Sequence, residues 1–257
     1  MTHELDGFKL LAVENNPISL SILRSMLTSL GAEVIYLSRA DEVIHQLDTA
    51  NFDLIVLSCH CFMPDCFEMT KKIRHRFSNE TTIPIIATTL NANSIEQQCL
   101  QFGINDLLEK PFRRQELSAK IRQWGGIEKP NKTPIIETKM THDHRDNIAI
   151  DSDYIITLKE NIGDAFAMVA HEYINSLPMH KSLIEDSFKQ LAYQQAADIS
   201  HKIKGACANM GANKLVTDFK HLQQQAEKHH QPSDQDWKTL EMDIQQAAEI
   251  LQKKVAS

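Results

Sequence analysis

The residues best suited to chemistry in this chain are the consecutive His201-Lys202-Ile203-Lys204-Gly205. A neutral imidazole nitrogen is nucleophilic near physiological pH and releases what it has bound, which suits a reversible phosphoryl carrier. Lys204 follows three residues on, within side-chain reach of His201 on a helix, where its ammonium can attract phosphate oxygens as charge gathers. Stepping about 100° per residue from Ile199 puts Ile203, Ala206, Cys207 and Met210 on one arc, the expected core face. Ala197, His201, Lys204, Gly205, Ala208 and Ala212 fall on the opposite arc, predicted to face solvent. Solvated helix faces normally carry long charged side chains, and a helical glycine costs about 1 kcal/mol relative to alanine. A face cleared in this way, with Gly205 permitting close approach and Ala197, Ala208 and Ala212 as a docking surface, is what a partner reaching the imidazole would need.

A second group of reactive side chains lies in Ser58-Cys59-His60-Cys61-Phe62-Met63-Pro64-Asp65-Cys66. Three thiols and an imidazole bring zinc binding or thiol sensing to mind. The spacings Cys-x-Cys and Cys-x4-Cys match no common structural zinc site, so the expectation is no bound metal and a loop released from phosphorylation chemistry, in a domain kept as a protein-docking or dimerising surface. Thr141-His142-Asp143-His144-Arg145-Asp146 is a weaker metal-like run and reads as a polar tether. His171, His180, His221, His229 and His230 read as ordinary surface or packing residues.

Two kinds of element must position these groups. Over 8–124, short β-branched or apolar runs alternate with amphipathic stretches, the signature of a parallel sheet with crossover helices. Strands are predicted over 9–13, 33–37, 54–57, 83–88 and 106–108, with helices over 18–30, 40–48, 65–77, 94–102 and 113–123. From 151 onward strand alternation gives way to helical periodicity over 154–161, 165–191, 194–210, 214–229 and 237–253, which predicts an antiparallel helical bundle. Pro178 is predicted to kink or split the second of these helices. Between the two regions, Gly125-Gly126, Pro130 and Pro134 mark a stretch with little periodicity. The expected organisation is an α/β domain over 7–124, a flexible linker over 125–147 and an all-α domain over 148–257.

Composition narrows the function classes. A length of 257 residues suits two domains, and 42% hydrophobic with 24% charged residues is ordinary for a water-soluble chain. The net charge of -7 disfavours a nucleic-acid partner held through a broadly basic surface. No apolar run reaches the length of a membrane span and the first residues lack signal-peptide character, so no membrane partner and a cytoplasmic location are expected. The five cysteines are odd in number and unevenly spread, which points to free thiols.

The run Ser200-His201-Lys202-Ile203-Lys204-Gly205-Ala206-Cys207-Ala208-Asn209-Met210-Gly211-Ala212 resembles the phosphohistidine motif of histidine phosphotransfer (HPt) domains, and the likeness extends over about 150–255. It implies a four-helix bundle of HPt type with His201 as phosphoacceptor. The five β/α pairs of 8–124 resemble the receiver domain of response regulators, a flavodoxin-like doubly wound fold with five parallel strands. That resemblance implies two acidic residues after the first strand, where the chain has Glu14-Asn15, and a phosphorylated aspartate after the third, where it has Ser58. Thr89 stands where the switch hydroxyl is implied, and Lys110 before Pro111 where the phosphate-contacting lysine is. A receiver gathers carboxylates around one divalent ion, each charge pair contributing roughly 4 kcal/mol at about 4 Å and an effective dielectric of about 20. With Glu14 alone, the site is expected to be weak or empty and the domain a degenerate receiver. Asp53 and Asp65 are poor substitute acceptors, one at the wrong end of its strand and the other in the following loop.

The function expected is therefore that of a phosphorelay protein without autokinase activity and without a cofactor. His201 would take a phosphoryl group from a receiver aspartate of another protein, such as a hybrid histidine kinase, and pass it to a response regulator. The degenerate receiver would serve regulation or docking. The alternative is a scaffold that sequesters a kinase or receiver independently of phosphorylation.

Overall fold

The computed structural model describes residues 3–39, 42–59, 65–77, 83–89, 92–126 and 148–256. The predicted linker, the Thr141 to Asp146 run, His60 and Cys61 fall outside the described residues, apart from Gly125 and Gly126. Two compact units divide the chain, residues 1–137 and 138–257. Among the described residues, no helix is long and apolar enough to cross a membrane.

The first unit alternates strands and helices. Strands β1 (Lys9–Val13), β2 (Glu33–Leu37), β3 (Leu54–Ser58), β4 (Ile85–Thr89) and β5 (Asp106–Glu109) form one sheet in the order β2-β1-β3-β4-β5. Every pairing is parallel, with Leu11 opposite Ile35 on one side and Ile55 on the other. β3 and β4 are buried along their whole length, as strands covered by helices on both faces must be, which accounts for runs such as Leu54-Ile55-Val56-Leu57. The helices are α1 (Pro17–Leu30), α2 (Glu42–Thr49), α3 (Asp65–Arg76), α4 (Ala92–Gln101) and α5 (Arg114–Trp124).

Local chemistry fixes where these helices begin and end. α1 starts at Asn16, whose side chain accepts from Ser19 N at 3.0 Å, with Pro17 in the first turn where its missing N–H costs nothing. It stops at Gly31, whose φ of 83° lets its N–H turn back to the last carbonyls. α3 is tied to the sheet by Arg74, whose guanidinium donates to Gly103 O, Ile83 O and Asn105 Oδ1. α5 is tied by Lys120 Nζ and Trp124 Nε1, both donating to the Asp106 carboxylate at 2.7 and 2.9 Å.

The second unit is helical: α6 (Ser152–Ile162), α7 (Ala165–Lys189), α8 (Tyr193–Asn209), α9 (Asn213–Glu227) and α10 (Asp234–Ala256). α7 packs on α8, α8 on α9, α9 on α10 and α10 back on α7, closing a four-helix bundle, with α6 added against α7. The three-residue connections from α7 to α8 and from α8 to α9 make those neighbours antiparallel. Tyr173, Phe188 and Phe219 are among its largest fully buried side chains.

Of the two outcomes expected at Pro178, a kink or a split, the split is corrected: α7 runs unbroken for 25 residues with Pro178 inside. Tyr173, Leu177, Ile184 and Phe188 bury one continuous face on either side of the proline. Burying side chains of this size stabilises by about 1.5–3 kcal/mol each, enough to outweigh the roughly 3 kcal/mol of an interior proline. Side-chain bonds reinforce the turn, with Ser176 Oγ donating to Tyr173 O at 2.8 Å and His180 Nδ1 lying 2.7 Å from Ser176 O.

Candidate functional site

His201 lies at mid-length of α8, half-buried rather than fully exposed. One face of α8 is locked by Ala196, Ser200, Ile203, Ala206 and Cys207, all buried. Lys204 is half-buried, and its Nζ donates to Gln223 Oε1 of α9 at 2.8 Å. Gln223 Nε2 in turn donates to Glu227 Oε1 at 2.7 Å, so a chain of polar groups on α9 holds the lysine. Burial pushes the Lys204 ammonium below its ordinary range, Lys220 adds to that, and Glu227 opposes it. A partly desolvated cation interacts more strongly with charge gathering beside it, because less water screens the field.

The cleared face predicted around His201 needs correcting in its membership. Ala197 is buried at 7% exposure, Gly205 is buried, and Ala212 is fully buried; Ala208 is half-buried. α8 packs between α7 and α9, so its buried arc is wider than one-sided periodicity suggests and reaches Ala197. Ala212 lies off the helix altogether. α8 ends at Asn209, Gly211 takes a φ of 62°, and Ala212 precedes α9 with its N–H on Cys207 O at 2.9 Å. A Cβ on Gly211 would come within 2.7 Å of the Tyr154 ring, so the turn demands glycine. The same turn receives α6, through Asp151 N to Gly211 O at 2.9 Å and Tyr154 Oη to Asn209 O at 3.1 Å.

In the first unit, the residues Glu14, Ser58, Thr89 and Lys110 come from the C-terminal ends of β1, β3, β4 and β5 and are all buried. Lys110 Nζ sits 2.6 Å from Glu14 Oε2 and 3.3 Å from Ser58 Oγ. The other Glu14 oxygen accepts from Asn16 N at 2.9 Å, and Lys110 N donates to Thr89 O at 2.6 Å. Asn15 Oδ1 is buried and accepts no hydrogen bond among the described residues. These groups fit a divalent ion poorly: they offer one carboxylate, and both its oxygens are already engaged, one by an ammonium. Asp53 lies at the opposite end of β3, where its carboxylate accepts from Lys9 N at 2.7 Å.

Cys59 and Cys66 are buried, and Cys99 of α4 joins them, a residue the loop motif did not include. Hydrogen bonds with Cys66 and then Cys99, together with burial, push the Cys59 thiol up, whereas the bond from Cys59 lowers Cys99. The trio belongs to the hydrophobic core with Phe67 and Ile73. Among the described residues no group of three or more His, Cys, Asp or Glu side chains is arranged to hold a metal ion. Two of the other histidines make local contacts: His229 stacks on Tyr193 with ring centroids 4.9 Å apart, and His221 lies 3.4 Å from Asp236.

Sequence reasoning missed Gln223, because its meeting with Lys204 depends on how α8 and α9 register across the Gly211 turn and neither helix encodes that alone. It missed Cys99 for the same reason, since the contact joins two elements far apart in the chain.

Comparison with known proteins agrees with both halves of this description. Residues 10–122 match the model of the response regulator receiver domain, and residues 169–252 that of the Hpt domain. The sensor protein GacS of Pseudomonas syringae pv. syringae is 23% identical over 210 residues, which cover 80% of this chain and 23% of that protein. The aerobic respiration control sensor protein ArcB of Escherichia coli (strain K12) is 23% identical over 237 residues, covering 91% of this chain and 29% of that protein. This chain thus spans about a quarter of the length of the curated relatives it matches. Among solved structures, the receiver domain of the sensor histidine kinase PA1611 from Pseudomonas aeruginosa PAO1 shares 33% identity over 47% of this chain and 98% of that one, with a TM-score of 0.41. The chain joins a response regulator receiver domain to an Hpt domain, the two kinds of domain its sequence resembles.

Proposed function

We propose that His201 is the phosphoacceptor and that the chain relays a phosphoryl group between receiver domains of other proteins. The observation that carries this is the half-buried His201 on α8 with Lys204, three residues on, held by Gln223. In the step, the imidazole nitrogen attacks phosphorus of an aspartyl phosphate, a P–N bond forms, the P–O bond breaks, and the donor carboxylate is released. Lys204 stabilises the charge on the phosphoryl oxygens. Reversal onto the aspartate of a response regulator completes the relay. A hybrid histidine kinase is the proposed donor. The protein is a carrier without autokinase activity, acts in the cytoplasm, and needs neither a cofactor nor nucleic acid nor a membrane.

The receiver domain is proposed to be degenerate and to serve regulation or docking. Ser58 occupies the acceptor position, and the Glu14 carboxylate is committed to Lys110. Incubating the full chain with a phosphorylated receiver domain should label it in a way that His201→Gln abolishes. Label persisting in that variant overturns the assignment of His201, and label mapped to Ser58 overturns the degenerate receiver.

A further inference from the structure

The α9–α10 contact of the Hpt unit contains a pair of carboxyl groups that the relay does not use. Asp218 of α9 and Asp243 of α10 lie within hydrogen-bonding reach of each other. Two ionised carboxylates are both acceptors and cannot form that bond. Asp218 Oδ2 is also buried, with no donor among the described residues directed at it. Among the described residues one cation is bonded to the pair: Lys214 Nζ is 3.3 Å from Asp243 Oδ1 and is shared with Gln246 Oε1 at 3.4 Å. A single proton between the carboxyls removes the repulsion and supplies the missing donor together.

We propose that Asp218 and Asp243 share one proton at neutral pH, and that losing it loosens α10 from α9, which makes this contact a proton-sensitive joint in the Hpt unit. The surroundings leave that proton to the pair. Facing Asp218 are Asp243 from α10, Lys214 from its own helix and the Cys207 thiol from α8, which Tyr173 of α7 meets in turn. Burial pushes Cys207 up to about 12 and the Tyr173 phenol upward too, so both stay neutral over the relevant range. Asp218 is raised to about 7, by burial first and then by Asp243, with Lys214 opposing.

The sign follows from proton linkage. The folded pair holds its proton up to about pH 7, whereas an opened segment releases it near the ordinary value of 3.8. The stabilisation is complete below the lower value and lost as pH rises through the upper one. α9 is also the helix whose Gln223 holds Lys204, so the joint borders the support of the relay site.

The test is hydrogen exchange over residues 234–256 of the full chain at pH 6 and pH 8, corrected for the intrinsic pH dependence of exchange. Protection in the wild-type chain should fall about tenfold between the two, and in Asp218→Asn it should hold level. Unchanged protection in the wild type, or an equal fall in the variant, overturns the proposal. Carbon-13 NMR titration of the aspartate carboxyls in the unaltered chain decides the matter without a variant. One resonance titrating near neutrality supports the shared proton, and all aspartates titrating below about pH 5 refutes it.

Discussion

At the scale of single residues, both domains depend on where a lysine spends its charge. Lys204, three residues after His201 on α8, is held by a neutral amide, Gln223. Lys110 is held by a carboxylate at 2.6 Å, and its charge is neutralised inside the receiver. The Lys110 and Glu14 side chains are exposed by 6% and 2%, so removing one partner strands the other away from water. Lys110→Met should therefore destabilise the receiver unit by about 3–5 kcal/mol, read as a lower denaturation midpoint. A loss below about 1 kcal/mol would mean that water reaches Glu14 in the folded protein. The residue types at these positions were legible in the sequence: the His-x-x-Lys-Gly spacing picked out the helix proposed to carry the relay, and Ser58 was expected at the end of the third strand, where β3 ends. How each lysine is held was not, because Gln223 and Glu14 reach their lysines across 19 and 96 residues of chain.

At the scale of elements, the order and type of nearly every strand and helix could be read from periodicity, because strands buried on both faces and amphipathic helices leave different patterns. The strand ends shifted by a residue or two, as at β4, predicted over 83–88 and observed as Ile85–Thr89. Two errors have one cause. Placing Ala212 on the arc of the His201 helix ignored the left-handed turn at Gly211, and expecting a possible split at Pro178 ignored the face that α7 buries through it. In each, local propensity was weighed without the tertiary contact that decides the outcome. The proline gives a direct test. Its ring leaves the Ile174 carbonyl without the N–H that an ordinary residue would offer, so Pro178→Ala should stabilise the bundle by about 1–3 kcal/mol. An unchanged or lower thermal midpoint would show that α7 is adapted to the proline at that turn.

At the scale of the whole molecule, the chain forms two compact units, each with its own buried core. The receiver core is built on sheet residues such as Leu11, Ile55 and Ile85, and the bundle core on Tyr173, Phe188 and Phe219. A cooperative transition belongs to one core, so chemical denaturation should show two transitions rather than one. The two tryptophans make this measurable, since each unit holds one. Trp124 ends α5 and donates to Asp106, and Trp237 packs edge-on against Phe188 with centroids 6.0 Å apart. In a Trp124→Phe chain, fluorescence reports the bundle alone, and in Trp237→Phe the receiver alone. Lys110→Met should then move the transition seen through Trp124 and leave that seen through Trp237 in place, while Pro178→Ala does the reverse. If either substitution moves both transitions together, the two units do not unfold independently and the expectation of two separate transitions fails.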